Sequence, residues 1–160
     1  MNYICIYNCC IYMDVEKIIK TKKQIPLTSR TIIHLLLVHD KISKETVNAL
    51  KPYDVSPEQF NVLRILKGRG QEPANLSTLN ERMIKKMSNT TRLVDKLLAK
   101  GYVSRHECPS NRRKIEIRIT KEGSEALTDM SKAVSQLENA LLNNFSKPQL
   151  VDLNTLLDKF

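Results

Sequence analysis

A mainly α-helical chain with one small β-hairpin is the fold class that the sequence predicts, and three observations carry it. Only 5% of the 160 residues are aromatic, Trp is absent and Gly occurs four times, too little strand and turn material for a β-sandwich. Apolar residues recur at helical spacing through most of the chain, between Ser, Thr or Asn caps and Gly or Pro stops. The period drops to two only across residues 102–120, where two alternating runs flank a short polar connection. The length fits one domain, or one with dimerising extensions. With 41% apolar and 27% charged residues the chain is neither a disordered tail nor a membrane protein.

The first thirteen residues, MNYICIYNCCIYM, are apolar and then give way abruptly to charge. As a helix they reach about 20 Å against a bilayer core of about 30 Å, so they do not span a membrane. They lack the basic start and small-residue cleavage site of a signal peptide. Residues 1–13 are therefore expected to be an extension ahead of a start at Met13, with an extra dimerisation arm as the alternative. Residues 14–55 form the next region. Within it 29–50 reads as a helix whose 32–38 stretch is apolar almost all round and wants burial on more than one side. It should break at Lys51-Pro52, because the residue before proline is pushed out of the α region.

Residues 56–120 carry the central motif. Ser56 caps a helix with Pro57 in its first turn and Gln59 closing a capping box, its buried stripe being Phe60, Leu63 and Leu66, and Gly68 and Gly70 end it. Asn75 caps a short helix with Leu76, Leu79 and Met83. Residues 85–87 make a turn, and Ser88 caps a basic helix that stops at Gly101. Two short helices across a tight turn are a helix-turn-helix. On a helical wheel Thr90, Thr91, Leu97 and Leu98 fall within about 60° of Val94, whereas Asn89, Arg92, Lys96 and Ala99 lie opposite. The second helix thus has a packing face and a hydrogen-bonding face. The hairpin follows, with Val103 inward on one run and Ile115, Ile117 and Ile119 on one side of the other. Its basic, Pro-containing connection spans 108–113. A hairpin in that place is a wing, which makes the fold a winged helix-turn-helix. Residues 121–160 supply a Thr120-capped helix with Leu127, Met130, Val134, Leu137 and Leu141 as a seam for a partner helix. Ser146 and Gln149 then cap a last helix with Leu150, Leu153, Leu157 and Phe160. Further dimerisation helices are the expected role, with an intramolecular core as the alternative.

Charge points to the partner. Residues 56–120 hold fourteen basic against six acidic side chains, including eight of the nine arginines, while 121–160 is slightly acidic. Positive charge concentrated in one stretch attracts a polyanion by counterion release, so double-stranded DNA is the expected partner. No acid pair, nucleophile with its base or phosphate loop is visible, so no enzyme is expected. Cys5, Cys9, Cys10 and Cys108 form no C-x-x-C pair, and His34, His39 and His106 are scattered, so neither a metal, a cofactor nor a disulfide framework is expected. The location implied is the cytoplasm.

Residues 76–123, through TRLVDKL, KGYVSR, PSNRRK and RITKEG, resemble the MarR family of transcription regulators. The order of the flanking helices extends the likeness over roughly 29–160. The resemblance implies a homodimer whose terminal helices interlock, most often a repressor, on a pseudo-palindromic operator. It places Ser88, Asn89, Thr90, Arg92 and Lys96 at the major groove, and Arg112 and Arg113 on the wing, with Arg113 in the minor groove. It also implies a small aromatic effector in a cavity between the first helix, the Phe60 helix and the base of the long helix, which His34, Tyr53 and Phe60 would line. Two positions depart from the family pattern: Cys108 and Asn111 stand where the wing usually carries acids. Residues 29–50 also lack the cysteine of peroxide-sensing members. A winged helix used only for protein interaction, and a redox-responsive regulator using Cys108, whose thiol lies near Arg105 and Arg112, are the alternatives.

Overall fold

The computed structural model describes residues 13–70, 72–84, 89–108 and 111–160, apart from the side chains of residues 108 and 111–114. The expected apolar extension falls almost wholly outside these residues, and so do the 85–87 turn and Ser88. The chain divides into two compact units, Met1–Ser43 and Lys44–Phe160.

In the first unit α1 (Val15–Ile18) occupies a stretch for which the sequence suggests only charge. Its cap is Asp14, whose carboxylate accepts from the Lys17 N–H at 3.1 Å. Glu16 on α1 also pairs with Arg30 at 2.9 Å. The next helix, α2 (Leu27–Leu50), starts two residues earlier than expected, directly after Pro26, and ends at the expected break. Along its 32–38 stretch Ile32 and Leu36 are 52% and 63% exposed. Among the described residues, the burial that this stretch calls for is thus not met at Ile32 and Leu36.

In the second unit the last turn of α2 contributes Leu50, fully buried, and a 3-10 turn, Lys51–Tyr53, follows where proline bars the helix. The Ser56–Gln59 capping box opens α3 (Pro57–Gly68), whose Phe60, Leu63 and Leu66 are buried as its stripe requires. Asn75 caps α4 (Leu76–Arg82) by accepting from the Thr78 N–H at 2.8 Å. The next helix, α5 (Thr90–Ala99), begins after Asn89 rather than Ser88, because Asn89 holds the non-helical φ −122°, ψ 30°. It ends in a Schellman motif: Tyr102 N–H donates to Leu97 O and Gly101 N–H to Leu98 O. Gly101 supplies the left-handed φ of 70° that this motif needs.

Strands β1 (Val103–Cys108) and β2 (Asn111–Ile119) pair antiparallel, with Val103 opposite Ile119, Arg105 opposite Ile117 and Glu107 opposite Ile115. The expected 108–113 connection is a correction: Cys108 pairs with Asn111, so the ladder runs almost to the tip. The register shifts after Glu107, where one step along β1 matches four along β2. On the other side of β2, Ala74 and Ile117 exchange hydrogen bonds of 3.0 and 2.7 Å, which fix the segment before α4 to the wing root.

Thr120 caps α6 (Lys121–Leu142) by accepting from the Gly123 N–H at 3.0 Å. The seam on α6 is a second correction. Leu127, Met130 and Val134 are buried in the same core as Phe60, Leu63, Val94, Leu97 and Ile117, because α6 packs on α3. The intramolecular alternative holds for that half of the helix. A second capping box at Ser146 opens α7 (Lys147–Leu157), which buries none of its residues. Among the described residues no helix is long and apolar enough to cross a membrane.

Candidate nucleic-acid interface

Helix α5 is amphipathic in the sense that the wheel predicts, with one adjustment. Thr90, Val94 and Leu97 are buried and Leu93 and Leu98 half-buried, whereas Arg92, Asp95, Lys96 and Ala99 are exposed. The buried arc therefore centres between Val94 and Leu97, which leaves Thr91 roughly 90° from its middle and exposed. Packing against α3 and α4 fixes this rotation, since both contact the inner face of α5.

Asn89, Arg92 and Lys96 come together on the outer face of α5. Asn89 is exposed and its side chain makes no capping bond. Arg92 and Lys96 hold neither a hydrogen bond nor an ion pair among the described residues. Thr90 does not join them: it is 6% exposed, and its hydroxyl lies 3.4 Å from Asn80 Oδ1 on α4. Its side chain belongs to the joint between the two helices rather than to the outer face. Ser88 and the side chains of Arg112 and Arg113 lie outside the described residues, although the backbone of both arginines belongs to β2.

Two contacts that sequence reasoning missed attach this face to its surroundings. Arg105 on β1 shares a sheet face with Val103, and its guanidinium reaches back 3.4 Å to Asp95 on α5. No spacing rule links residues 95 and 105; only the strand register, which turns Arg105 towards α5, does so. At the foot of α5, Lys100 donates to Asp54. The Lys100 ammonium, with a smaller contribution from Lys96, holds the Asp54 carboxyl below its usual range.

Of the residues expected to hold an effector, Tyr53 and Phe60 belong to one core and His34 to the other unit. Phe60 is 6% exposed, inside the winged-helix core, with the Arg64 guanidinium 5.8 Å from its ring centre. Tyr53 packs half-buried against the same core. His34 lies in the other unit, half-buried.

Among relatives, the HTH-type transcriptional repressor IacR of Pseudomonas putida is 25% identical over 124 residues, 78% of this chain and 73% of IacR. The uncharacterised regulator YkoM of Bacillus subtilis is 29% identical over 86 residues, and the chain spans 54% of its length. The MarR family profile matches residues 55–115, from the turn before α3 into the wing. BilQ, an HTH-type transcriptional regulator of Clostridioides difficile, is 30% identical over 105 residues, 65% of this chain and 69% of BilQ. The chain belongs to the MarR family. A MarR-like transcription regulator from Bacillus cereus superposes with a TM-score of 0.74 at 26% identity, covering 84% of this chain and 96% of that one. The mainly helical chain with its antiparallel hairpin is thus a MarR-type winged helix, and the MarR family is one of transcriptional regulators, not of enzymes.

Proposed function

We propose that this MarR-family protein is a sequence-specific DNA-binding regulator that works in the cytoplasm as a homodimer on a pseudo-palindromic operator. The observation that carries the reading is the outer face of α5. Asn89, Arg92 and Lys96 stand there uncommitted, while the opposite face is built into the core and cannot turn away. A helix held in this manner presents Arg92 and Asn89 to base edges in the major groove, with Lys96 one turn on for phosphate. Ser88, outside the described residues, is assigned to the same DNA contact by the family resemblance alone. On the wing Arg112 meets phosphate and Arg113 enters the minor groove. Asn111 in place of an acid leaves Arg113 its full charge for narrow, A·T-rich sequence. Repression is the mode favoured by likeness to IacR, which is named a repressor.

Dimerisation through residues 14–55 and the end of the 121–160 region follows from apolar surface that one chain leaves open. On α2 it comprises Leu27, Ile32 and Leu36, and beyond the core Leu142, Phe145, Val151, Leu156 and Phe160. Interlocking helices of this kind should bury more than about 2,000 Å². A small aromatic effector remains part of the reading, with His34 and Tyr53 as its expected walls; Phe60, at 6% exposure, offers it little surface. Selection of bound duplexes from a random pool tests the function: two inverted half-sites about 10 to 10.5 bp apart are expected. Recovery of unrelated sequences would refute it.

A further inference from the structure

A cavity of about 530 Å³ opens between the last turn of α2, the 3-10 turn, the start of α3 and the foot of α5. Three lysines line it, Lys51, Lys96 and Lys100, against a single carboxylate, that of Asp54. Lys100 is paired with Asp54, which leaves the ammonium charges of Lys51 and Lys96 in excess there. Lys51 stands on the 3-10 turn, outside the helix-turn-helix and the wing, and the family profile, which begins at residue 55, does not reach it. It belongs to the same compact unit as α5, Lys44–Phe160, so its place beside that helix is set by the core they share.

Duplex geometry brings phosphate to this place. An α-helix with its side chains is about 10–12 Å across, and the major groove is about 12 Å wide. A helix seated in the groove therefore has a row of phosphates along each side, and an opening against the helix lies within reach of one row. Lys96 belongs both to the outer face of α5 and to the wall of the cavity, so the rim adjoins the side that meets the duplex. Gln59 supplies a second observation. It lines the cavity at 4% exposure, its Oε1 accepts from the Ser56 N–H at 2.9 Å, and its Nε2 has no acceptor. A buried donor without a partner marks an acceptor still to arrive, and a water held under a bound phosphate supplies one.

We propose that Lys51 and Lys96 seat one backbone phosphate of the bound duplex at the rim of this cavity, so that the DNA contact extends beyond the helix-turn-helix and the wing to the turn after α2. The proposal rests on the DNA-binding reading. A lysine ammonium is a point charge that meets phosphate without selecting a base. Lys51 therefore adds affinity and fixes how α5 lies along the groove, and it adds no sequence preference. One neutralised phosphate contributes a slope of about 0.9 in log affinity against log salt, which at about 0.15 M salt is about fivefold for each protomer bound.

Fluorescence anisotropy with the full chain tests this on the selected operator and on a scrambled duplex. Lys51→Met should weaken both by the same factor, about fivefold per protomer, and reduce the salt slope by about 1 per protomer, with the circular dichroism spectrum unchanged. Lys51→Arg should restore most of the loss. Operators that carry a single neutral methylphosphonate linkage in each half-site, moved one position at a time, locate the phosphate. One linkage beside the groove that α5 occupies should cost the parent chain about fivefold or more per half-site, and about threefold less in Lys51→Met than in the parent. Parental affinity in Lys51→Met, a loss confined to the operator, or a loss coupled to no single linkage would each overturn the seat and leave the DNA-binding reading standing. A parent chain that binds no duplex would refute the reading and the seat together.

Discussion

A Cβ added at Gly123 would sit 2.0 Å from the carbonyl oxygen of Tyr102, and 2.8 and 2.9 Å from that residue's carbonyl carbon and Cα. Ordinary contact begins near 3.4 Å, so Gly123→Ala requires the first turn of α6 and the root of β1 to separate by about 1.4 Å. Both sides of the clash are backbone or Cβ, and no rotamer relieves it. The movement strains the bonds that close this junction: Thr120 N–H to Tyr102 O at 3.1 Å, Thr120 Oγ1 to Gly101 O at 2.7 Å, and the Gly123 cap at 3.0 Å. Losing two of them costs about 2 kcal/mol. Overpacking adds about 1–3 kcal/mol. A loss of roughly 3–5 kcal/mol lowers the Tm of a chain of this size by about 10 °C. Gly101→Ala is the control, since its added Cβ meets nothing within 4 Å and only the left-handed φ is penalised. That penalty is about 1–2 kcal/mol. Urea unfolding followed by circular dichroism, at one fixed protein concentration, measures both. A Gly123→Ala loss below 1 kcal/mol, or one no larger than that of Gly101→Ala, would refute the close approach of α6 to the wing root.

The remaining expectations concern the DNA face, the two roles of the C-terminal helices and one titrating pair. Arg92→Ala should cost about 1–3 kcal/mol on a selected operator if it reads guanine, and Lys96→Ala should weaken all duplexes alike and reduce the salt slope by about 1, both by fluorescence anisotropy. Asp95→Asn frees Arg105 and removes the acid between Arg92 and Lys96, so affinity for unrelated duplex should rise and the specific-to-unrelated ratio should fall in the same assay. Met130→Ala should cost about 2–5 kcal/mol in urea unfolding because Met130 is fully buried in the core. Leu156→Asp, on exposed α7, should leave the fold intact by circular dichroism and shift the sedimentation coefficient towards monomer. Because Lys100 depresses the Asp54 pKa, that pair stabilises above the unfolded carboxylate pKa, and its contribution is lost as pH falls through the lower folded value. Asp54→Asn should flatten the acid limb of the urea midpoint against pH.

Features decided within one turn of chain were legible in the sequence. Ser56, Asn75, Thr120 and Ser146 all cap as read, because each satisfies a backbone N–H three residues on, and nothing distant competes. The face of α5 was legible to within part of a turn, but its rotation depends on α3 and α4, which is why Thr91 faces out and Thr90 faces Asn80. Periodicity also places Leu127, Met130 and Val134 on one side of α6 without saying what covers that side; the packing of α3 supplies the answer. The Asp95–Arg105 link, the approach of Gly123 to Tyr102 and the lysine-lined cavity join residues 10, 21 and more positions apart, and exist only once the hairpin and helices have docked.

Binding isotherms of the full chain on its selected operator and on a scrambled duplex, each at several salt concentrations, bear most directly on reading of DNA by α5 and the wing. The expected result is a large preference for the operator at every salt concentration, with Arg92→Ala removing most of that preference while leaving scrambled binding nearly unchanged. Equal affinity for both duplexes, or a preference that Arg92→Ala leaves intact, would contradict it.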